Sequence, residues 1–470
     1  MHLAKTPRAK KPLKVKSTKA AIYSKQSAIP SVKFEEQNMT SYSGLVIMQK
    51  FFKEIGLKER LNKCVRHLPN TRQYNFTTIL FCLIIHSLIG FRKLTDVQYY
   101  GDDPMVRRVT ALHSYPSAST LSRMLSEYDA KSVEKVQDLN RNLCLERIAK
   151  ESLNRVTLDF DGSVLSTKRH SEGTAVGFNK KKKGLRSYYP LQCTIAQTGQ
   201  VLDVLHRSGN VHDSNGASEL VIRCVEAVRE QNPDAIIEVR MDSAFFSDYM
   251  VKVLEDIGVE YTITVPFERL TTLKTMITER RVWWPMNGRV SFFEKKWKPS
   301  SWSKKSRFLF IRQKTAVQGK NPVQLDLFEP KESKFDYKVI ITNKKCVSRK
   351  AVKFHEGRGY QENIFSELKS QLNMEYIPCR KWNGNKIYLL SNFLVHNLGR
   401  ELQMSLSSPA KRNNESRSPL WVFEGIASIR QKLIHRAGRL TNEAGKIVLT
   451  MNLNKRFRAA FERLLSCQGG

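Results

Sequence analysis

His355-Glu-Gly-Arg-Gly-Tyr-Gln-Glu-Asn-Ile-Phe-Ser-Glu-Leu-Lys369 is the stretch on which the reading of this chain turns. At ~100° per residue, a helix over it places His355, Arg358, Glu362 and Lys369 within roughly 60° of one another. Ile364, Phe365 and Leu368 form an apolar set at i, i+1 and i+4, which predicts burial of the other side. The helix therefore offers one carboxylate flanked by cations on a single stripe. Spacing alone suits a solvated face equally well, with Arg358 and Glu362 as an ordinary i,i+4 pair. The rest of the chain must decide.

The 470 residues include 79 Lys+Arg against 44 Asp+Glu, a formal net charge of +35. An excess of that size points to a polyanion, either nucleic acid or an acidic membrane face. With 41% hydrophobic residues, the chain can build a sizeable core in roughly two to four domains. The eight cysteines form no Cys-x-x-Cys pair and no Cys/His cluster at zinc spacing. They read as thiols in a reducing compartment. The most apolar run, Ile79–Phe91, is too short to span a bilayer and contains His86, so it reads as a buried helix. Residues 1–34 are lysine-rich and contain no acidic residue. We read 1–41 as a disordered basic arm; a transit peptide is the alternative, although those favour Arg over Lys.

Residues 42–150 read as a helical domain. Leu45, Ile47, Met48, Phe51, Phe52 and Ile55 recur at helical spacing, and Pro69-Asn70 breaks the pattern before the apolar helix. Pro116-Ser-Ala-Ser-Thr-Leu-Ser-Arg123 offers serines at N-cap positions ahead of a further helix. Arg107 and Arg108 stand just upstream, so this region reads as DNA-contacting, with a plain helical adaptor as the alternative. From 151 to 265 strands appear. Val156-Thr-Leu-Asp-Phe-Asp161 alternates and ends on a carboxylate, and Tyr188–Ile195 with Val201–Leu205 predicts a hairpin around Thr198-Gly199. Helices over Ser214–Glu230 and Phe246–Ile257 alternate with strands over Ala235–Asp242 and Tyr261–Val265, as in an α/β sheet. Residues 266–350 hold Trp283, Trp284, Trp297 and Trp302 among short β-prone runs, and read as a β-rich insertion. Residues 351–400 return to helix, with Asn392, His396 and Asn397 on one segment. Residues 401–470 read as a helical, basic C-terminal region.

Three carboxylates stand out: Asp161 and Asp242 at strand ends, and Glu362 on the helix. A sheet delivers strand-end side chains to one edge, where a packed helix can add a third ligand. Hard oxygen donors of this kind suit Mg²⁺ or Mn²⁺ rather than zinc. Two such ions ~4 Å apart can activate a water or 3′-hydroxyl and stabilise the leaving oxygen at phosphorus. A phosphodiester substrate also accounts for the charge. Either aspartate taken alone reads better as a turn cap; the three together with this charge favour catalysis.

Asp161-Gly-Ser163, Asp242-Ser-Ala-Phe245 and Arg358-x-x-x-Glu362-x-x-x-x-x-x-Lys369 resemble the DDE transposases of bacterial insertion sequences. The likeness is to the branch with a β-strand insertion before its catalytic Glu and a Tyr-Arg-Glu-Lys helix signature. It covers about 155–400, and Gly209-Asn-Val-His-Asp-Ser-Asn-Gly216 is similar to the segment these enzymes carry between the two aspartates. The resemblance implies an α/β, RNase-H-like catalytic core: 151–265 with 351–400, interrupted by the insertion and flanked by helical N- and C-terminal regions. It implies a two-metal site on Asp161, Asp242 and Glu362, with Arg358 and Lys369 gripping phosphates near the transposon end. It also implies cut-and-paste movement of double-stranded DNA, with terminal inverted repeats and target DNA as partners. Cutting two ends in step predicts a homodimer on paired ends, at the nucleoid of a bacterial cytoplasm and not on a membrane.

Two departures follow. The family's Tyr is His355 here; imidazole can bind phosphate, but with a grip that depends on pH. Asp159 lies two residues before Asp161 on the same strand face; the Asp-Gly-Ser context favours Asp161. Aromatics can stack on a flipped base, which makes Trp284 and Trp297 candidates, against a plain core role. Lys180, Lys181, Lys182 and Lys183 read as a phosphate-contacting loop, against a solvated charge run. The rival readings are a non-catalytic DNA-binding descendant and another RNase-H-like nuclease such as a resolvase. The intact acidic triad argues against the first, because grouped carboxylates without metal repel each other. The insertion and the Arg/Lys helix argue against the second.

Overall fold

The computed structural model describes residues 29, 31–69, 73–177, 179, 182–212, 215–315, 335–452 and 454–466. The expected basic arm up to residue 28, together with Lys180 and Lys181, lies outside them. Residues 31–38 carry neither helix nor strand, and residues 39–470 form one compact unit.

The N-terminal part is helical: α1 (Leu45–Glu54), α2 (Leu57–Val65), α3 (Phe76–Ile89), α4 (Pro104–Thr110), α5 (Ala118–Leu125) and α6 (Ala130–Glu151). Asn75 starts α3 by accepting a hydrogen bond from the Thr78 amide (2.7 Å), and Gly90, at φ 96°, ends it. Every residue of α3 except Thr78 is buried, as befits a helix apolar all round. His86 is accommodated there by the Tyr100 hydroxyl, 2.7 Å from Nδ1, while burial pulls its pKa down to about 4.

Apart from a small three-stranded sheet (Leu165–Thr167, Ala175–Val176 and Arg186–Tyr188), five strands and two helices follow: β1 (Arg155–Gly162), β2 (Leu191–Ile195), β3 (Gln200–Leu205), α7 (Ala217–Gln231), β4 (Ile236–Met241), α8 (Asp248–Asp256) and β5 (Glu260–Val265). Their spatial order is β3-β2-β1-β4-β5. β1, β4 and β5 run parallel, and β2 runs antiparallel to its two neighbours β1 and β3. That is the strand order of an RNase-H-like core. The outer edge of β3 meets no strand; amides from the helices take its place. Asn140 and Gln137 on α6 donate to the Val201, Leu202 and Val204 carbonyls.

The insertion is not a separate β domain. After α9 (Thr271–Thr278) come β6 (Trp284–Pro285), β7 (Val290–Trp297), β8 (Ser306–Lys314) and β9 (Phe335–Thr342). β9 pairs antiparallel with β5, so one nine-stranded sheet runs β6-β7-β8-β9-β5-β4-β1-β2-β3. Trp283, Trp302, Phe308 and Phe310 share a core with Val239 and Ile263. An edge strand left bare is a pairing hazard, and this extension covers the one β5 would present.

The expected single helix over 355–369 is two helices. α10 (Ser348–Glu356) passes through a 3₁₀ turn, Gly357–Gly359, into α11 (Tyr360–Ser370). A Cβ on Gly357 would collide with the Ser416 carbonyl and the Arg240 guanidinium, so the close approach at this turn needs glycine. α12 (Trp382–Leu406) packs on α3 and α6. Its Asn397 takes the Val201 amide at 2.8 Å, completing the cover of β3.

The C-terminal region departs from the helical expectation. β10 (Gly438–Glu443) and β11 (Lys446–Met451) form a hairpin, joined by Met39–Thr40. Ala444 and Gly445 turn it at φ 50° and 80°, the two positive values a type I′ turn requires. A helix, Lys455–Ser466, follows.

Glu238 on β4 is fully buried and accepts from Thr157, Arg155, Lys344 and Arg417 at 2.7–3.0 Å. Burial pushes its pKa up, but the bonds from Arg417 and Lys344 outweigh that and hold it at about 2. A carboxylate depressed from 4.5 to about 2 contributes about 3 kcal/mol above pH 4.5, lost as pH falls toward 2. Glu238→Gln is therefore expected to flatten the acid limb of stability against pH in that window. Urea melts at pH 3 and pH 6 would show it; an acid limb identical to wild type would contradict it.

Candidate active site

β1 and β4 are parallel neighbours, so their carboxyl ends share one edge of the sheet. Phe160 stands opposite Met241, which puts Asp161 and Asp242 side by side as the strands leave the sheet. Asp161 Oδ1 accepts from the Gly162 amide (2.8 Å), and Asp242 caps a 3₁₀ turn by accepting from the Ala244 amide (3.0 Å). A cleft of about 1090 Å³ opens beside them, lined by Gly162, Ser163 and Asp242 on the sheet side and by Phe365 and Lys369 on α11. Glu362, Phe365 and Lys369 are spaced i, i+3, i+7 and share a helix face, so Glu362 stands on the cleft side of α11, exposed to solvent. Two adjacent strand-end carboxylates are hard oxygen donors and fit a hard divalent ion. The third is not drawn in: among the described residues no three acidic, His or Cys side chains are grouped closely enough to hold a metal.

Arg358 does not pair with Glu362. Its Nη2 donates to Asp161 Oδ2 at 2.8 Å. The 3₁₀ turn explains the difference, because it advances about 120° per residue instead of 100° and rotates Arg358 off the stripe. Lys369 lines the cleft with Nζ 3.7 Å from the Glu375 carboxylate.

The sequence matches the family described as transposase DDE domain, group 1, over residues 25–467. The chain belongs to the DDE transposase family. It is accordingly a DNA transposase, an enzyme of phosphodiester hydrolysis and transesterification, from a family that generally uses divalent metal ions. Among solved structures, a piggyBac transposase synaptic complex with hairpin DNA is similar at 12% identity and a TM-score of 0.45, covering 90% of this chain and 85% of that one. A Mos1 transposase paired-end complex with the left transposon end aligns at 9% identity and a TM-score of 0.18, covering 54% and 68%. A search of curated proteins found no match.

His355 sits otherwise than its motif position suggests. Its Nδ1 and Nε2 each lie 2.9 Å from a hydroxyl, of Thr262 and Thr264 on β5, and the side chain is buried. Burial first, then the charges of Lys338, Arg358 and Arg240, hold its pKa well below the usual value. In this transposase it anchors α10 on the sheet and is closed to solvent. Asp159 is likewise structural: its carboxylate takes both Nε and Nη2 of Arg240, at 2.5 and 2.8 Å. Arg240 Nη1 also donates to the Phe354 and Ser416 carbonyls.

Of the aromatic candidates, Trp297 packs edge-on against Phe308 with ring centroids 5.1 Å apart, while Trp284 is exposed on the outermost strand. Neither lines the cleft. Lys182 does line it, and Lys183 is exposed. His212, from the Gly209–Gly216 segment, also lines it, and its carbonyl accepts from Arg207. The sequence reading missed Lys338, Arg269 and Tyr189, which all face the same cleft. Lys338 arrives on β9 by pairing with a strand some seventy residues earlier, for which no local pattern exists. Loss of solvent, and then the charge of Arg358, hold its pKa below the usual lysine value.

Proposed function

We propose that this transposase binds the terminal inverted repeats of a mobile element, cuts both ends and joins them to target DNA by a cut-and-paste route. Asp161, Asp242 and Glu362 would hold two Mg²⁺ ions, with Mn²⁺ able to substitute. When bound, such ions supply activation of the attacking water or 3′-hydroxyl and charge stabilisation at the leaving oxygen. The observation that carries this reading is the side-by-side placement of Asp161 and Asp242 beside a cleft that Asp242 lines together with Lys182, Lys338 and Lys369. Carboxylates at the floor and ammonium groups around the wall match a phosphodiester strand and its metal. Lys369 and Arg358 hold backbone phosphates beside the cut, and α11 carries Glu362 toward the aspartates as DNA fills the cleft. Exposed cations of the helical part, Arg108 and Arg123, add contacts further along the duplex. Two copies act on paired ends, each supplying one site.

Purified protein, DNA carrying the element's own ends, and Mg²⁺ test this directly. Nicks at the element boundary are expected. Specific end binding without cleavage in Mg²⁺ or Mn²⁺ would favour a non-catalytic descendant, and cleavage of branched DNA alone would favour a resolvase-like nuclease. Deleting residues 1–34 is expected to flatten the salt dependence of binding while keeping the preference for end over random DNA. Those lysines offer charge without base-reading geometry. An unchanged slope of log affinity against log salt would mean that the arm does not touch DNA.

A further inference from the structure

We propose that Arg358 is a displaceable counter-ion: it occupies Asp161 until a DNA phosphate takes its guanidinium, so that DNA and divalent ion enter the site as one coupled event. The proposal rests on Asp161 being a metal ligand. The molecule holds a second arginine–aspartate pair two residues away on the same strand, and the contrast between the two carries the argument.

Arg240 grips Asp159 with two nitrogens, spends its third on two carbonyls, and is wholly buried, as is its partner at 2% exposure. Every nitrogen is engaged, and the pair is closed to solvent. Arg358 holds Asp161 by one nitrogen only, at 2.8 Å, with 17% and 23% of the two side chains open to solvent. Its Nε is buried and has no acceptor. A guanidinium presents a planar fork that a phosphate satisfies at two points. The protein satisfies one of them.

The charges around Arg358 act in the same direction. Lys338 and His355 both feel its charge, and Arg240 acts on His355 from the same region. Lys338 also lines the cleft. Cations gathered there repel one another and gain from an arriving phosphate. A divalent ion beside Asp242 would need the Asp161 carboxylate that Arg358 holds. Guanidinium and metal would thus compete for one carboxylate, while phosphate and Asp161 compete for one guanidinium. By linkage, DNA must then raise metal affinity and metal must raise DNA affinity by the same factor. In the DNA-free protein Arg358 weakens the site for metal, which guards against cutting before an end is seated.

Calorimetric titration of the full-length protein with MnCl₂, without DNA, tests this. Arg358→Gln is expected to bind Mn²⁺ about tenfold more tightly than wild type, within the usual range of coupling between sites. Arg358→Lys, which keeps the charge but loses the fork, is expected to fall between them and serves as the variant should the glutamine protein fail to fold. Adding a short DNA duplex is expected to tighten Mn²⁺ binding to wild type and to leave Arg358→Gln nearly unchanged. Asp161→Asn, made in both backgrounds, isolates the site from other acidic residues. If it removes Mn²⁺ binding while wild type and Arg358→Gln bind equally, the counter-ion role is overturned and the ligand role stands. If Asp161→Asn changes nothing in either background, the ligand reading itself fails. Equal tightening by DNA in wild type and Arg358→Gln would overturn the coupling.

Discussion

Asp161→Asn is expected to lower end cleavage by about 10³-fold or more while end binding stays within about threefold. Losing one ligand withdraws several kcal/mol of metal positioning from the transition state, and each ~1.4 kcal/mol is a factor of ten in rate. Binding changes little because affinity for DNA is spread over many phosphate contacts. The asparagine is nearly isosteric and can still cap the Gly162 amide through its side-chain oxygen, so the strand end should keep its shape. Asp242→Asn and Glu362→Gln are expected to behave alike, since all three act on the same step. Gel shift and cleavage on one labelled end separate the two effects. Wild-type cleavage by any of the three would remove that residue from the site.

Asp159→Asn, two residues earlier, is expected to fail in another way. It leaves the Arg240 guanidinium charged, buried and short of its partner, a situation that costs about 3–5 kcal/mol. That is a large share of a typical domain's stability. The urea midpoint should fall accordingly, and the seat of α10 should loosen, because Arg240 also ties down the Phe354 carbonyl. Below the melting range the folded protein should still cut. A variant as stable as wild type yet dead in cleavage would mean that Asp159, not Asp161, is the ligand.

The sheet core was legible because its signals are local. Alternation in Val156–Asp161, the turn at Thr198-Gly199 and the uniform apolarity of Ile79–Phe91 each specify their own conformation. So were the two aspartates, since strand ends follow from strand limits. What was not legible depends on partners far along the chain. The insertion joins the sheet through Val339–Thr342 opposite Thr262–Val265. His355 reads as a surface cation until Thr262 and Thr264 are seen to enclose it. Arg358 lies four residues from Glu362, and helical periodicity pairs them; a three-residue 3₁₀ turn is too small a feature for that periodicity to reveal. The C-terminal hairpin was signalled by Ala444-Gly445 between β-prone runs, but the basic composition around it points to helix.

The nine-stranded sheet ends deliberately at both sides. On one side, side-chain amides from α6 and α12 use up the backbone groups of β3. On the other, β6 is only two residues long, and one of them is Pro285, which has no amide hydrogen to donate. The β3 margin is thereby blunted as a template for another chain, and the other margin is blunted over Ser291–Phe292, where β6 pairs. Two copies brought together on DNA, as proposed above, would find among the described residues no bare edge at β3 into which a second sheet could run. On that side, contact between such copies would be left to side chains of the covering helices or to the DNA itself.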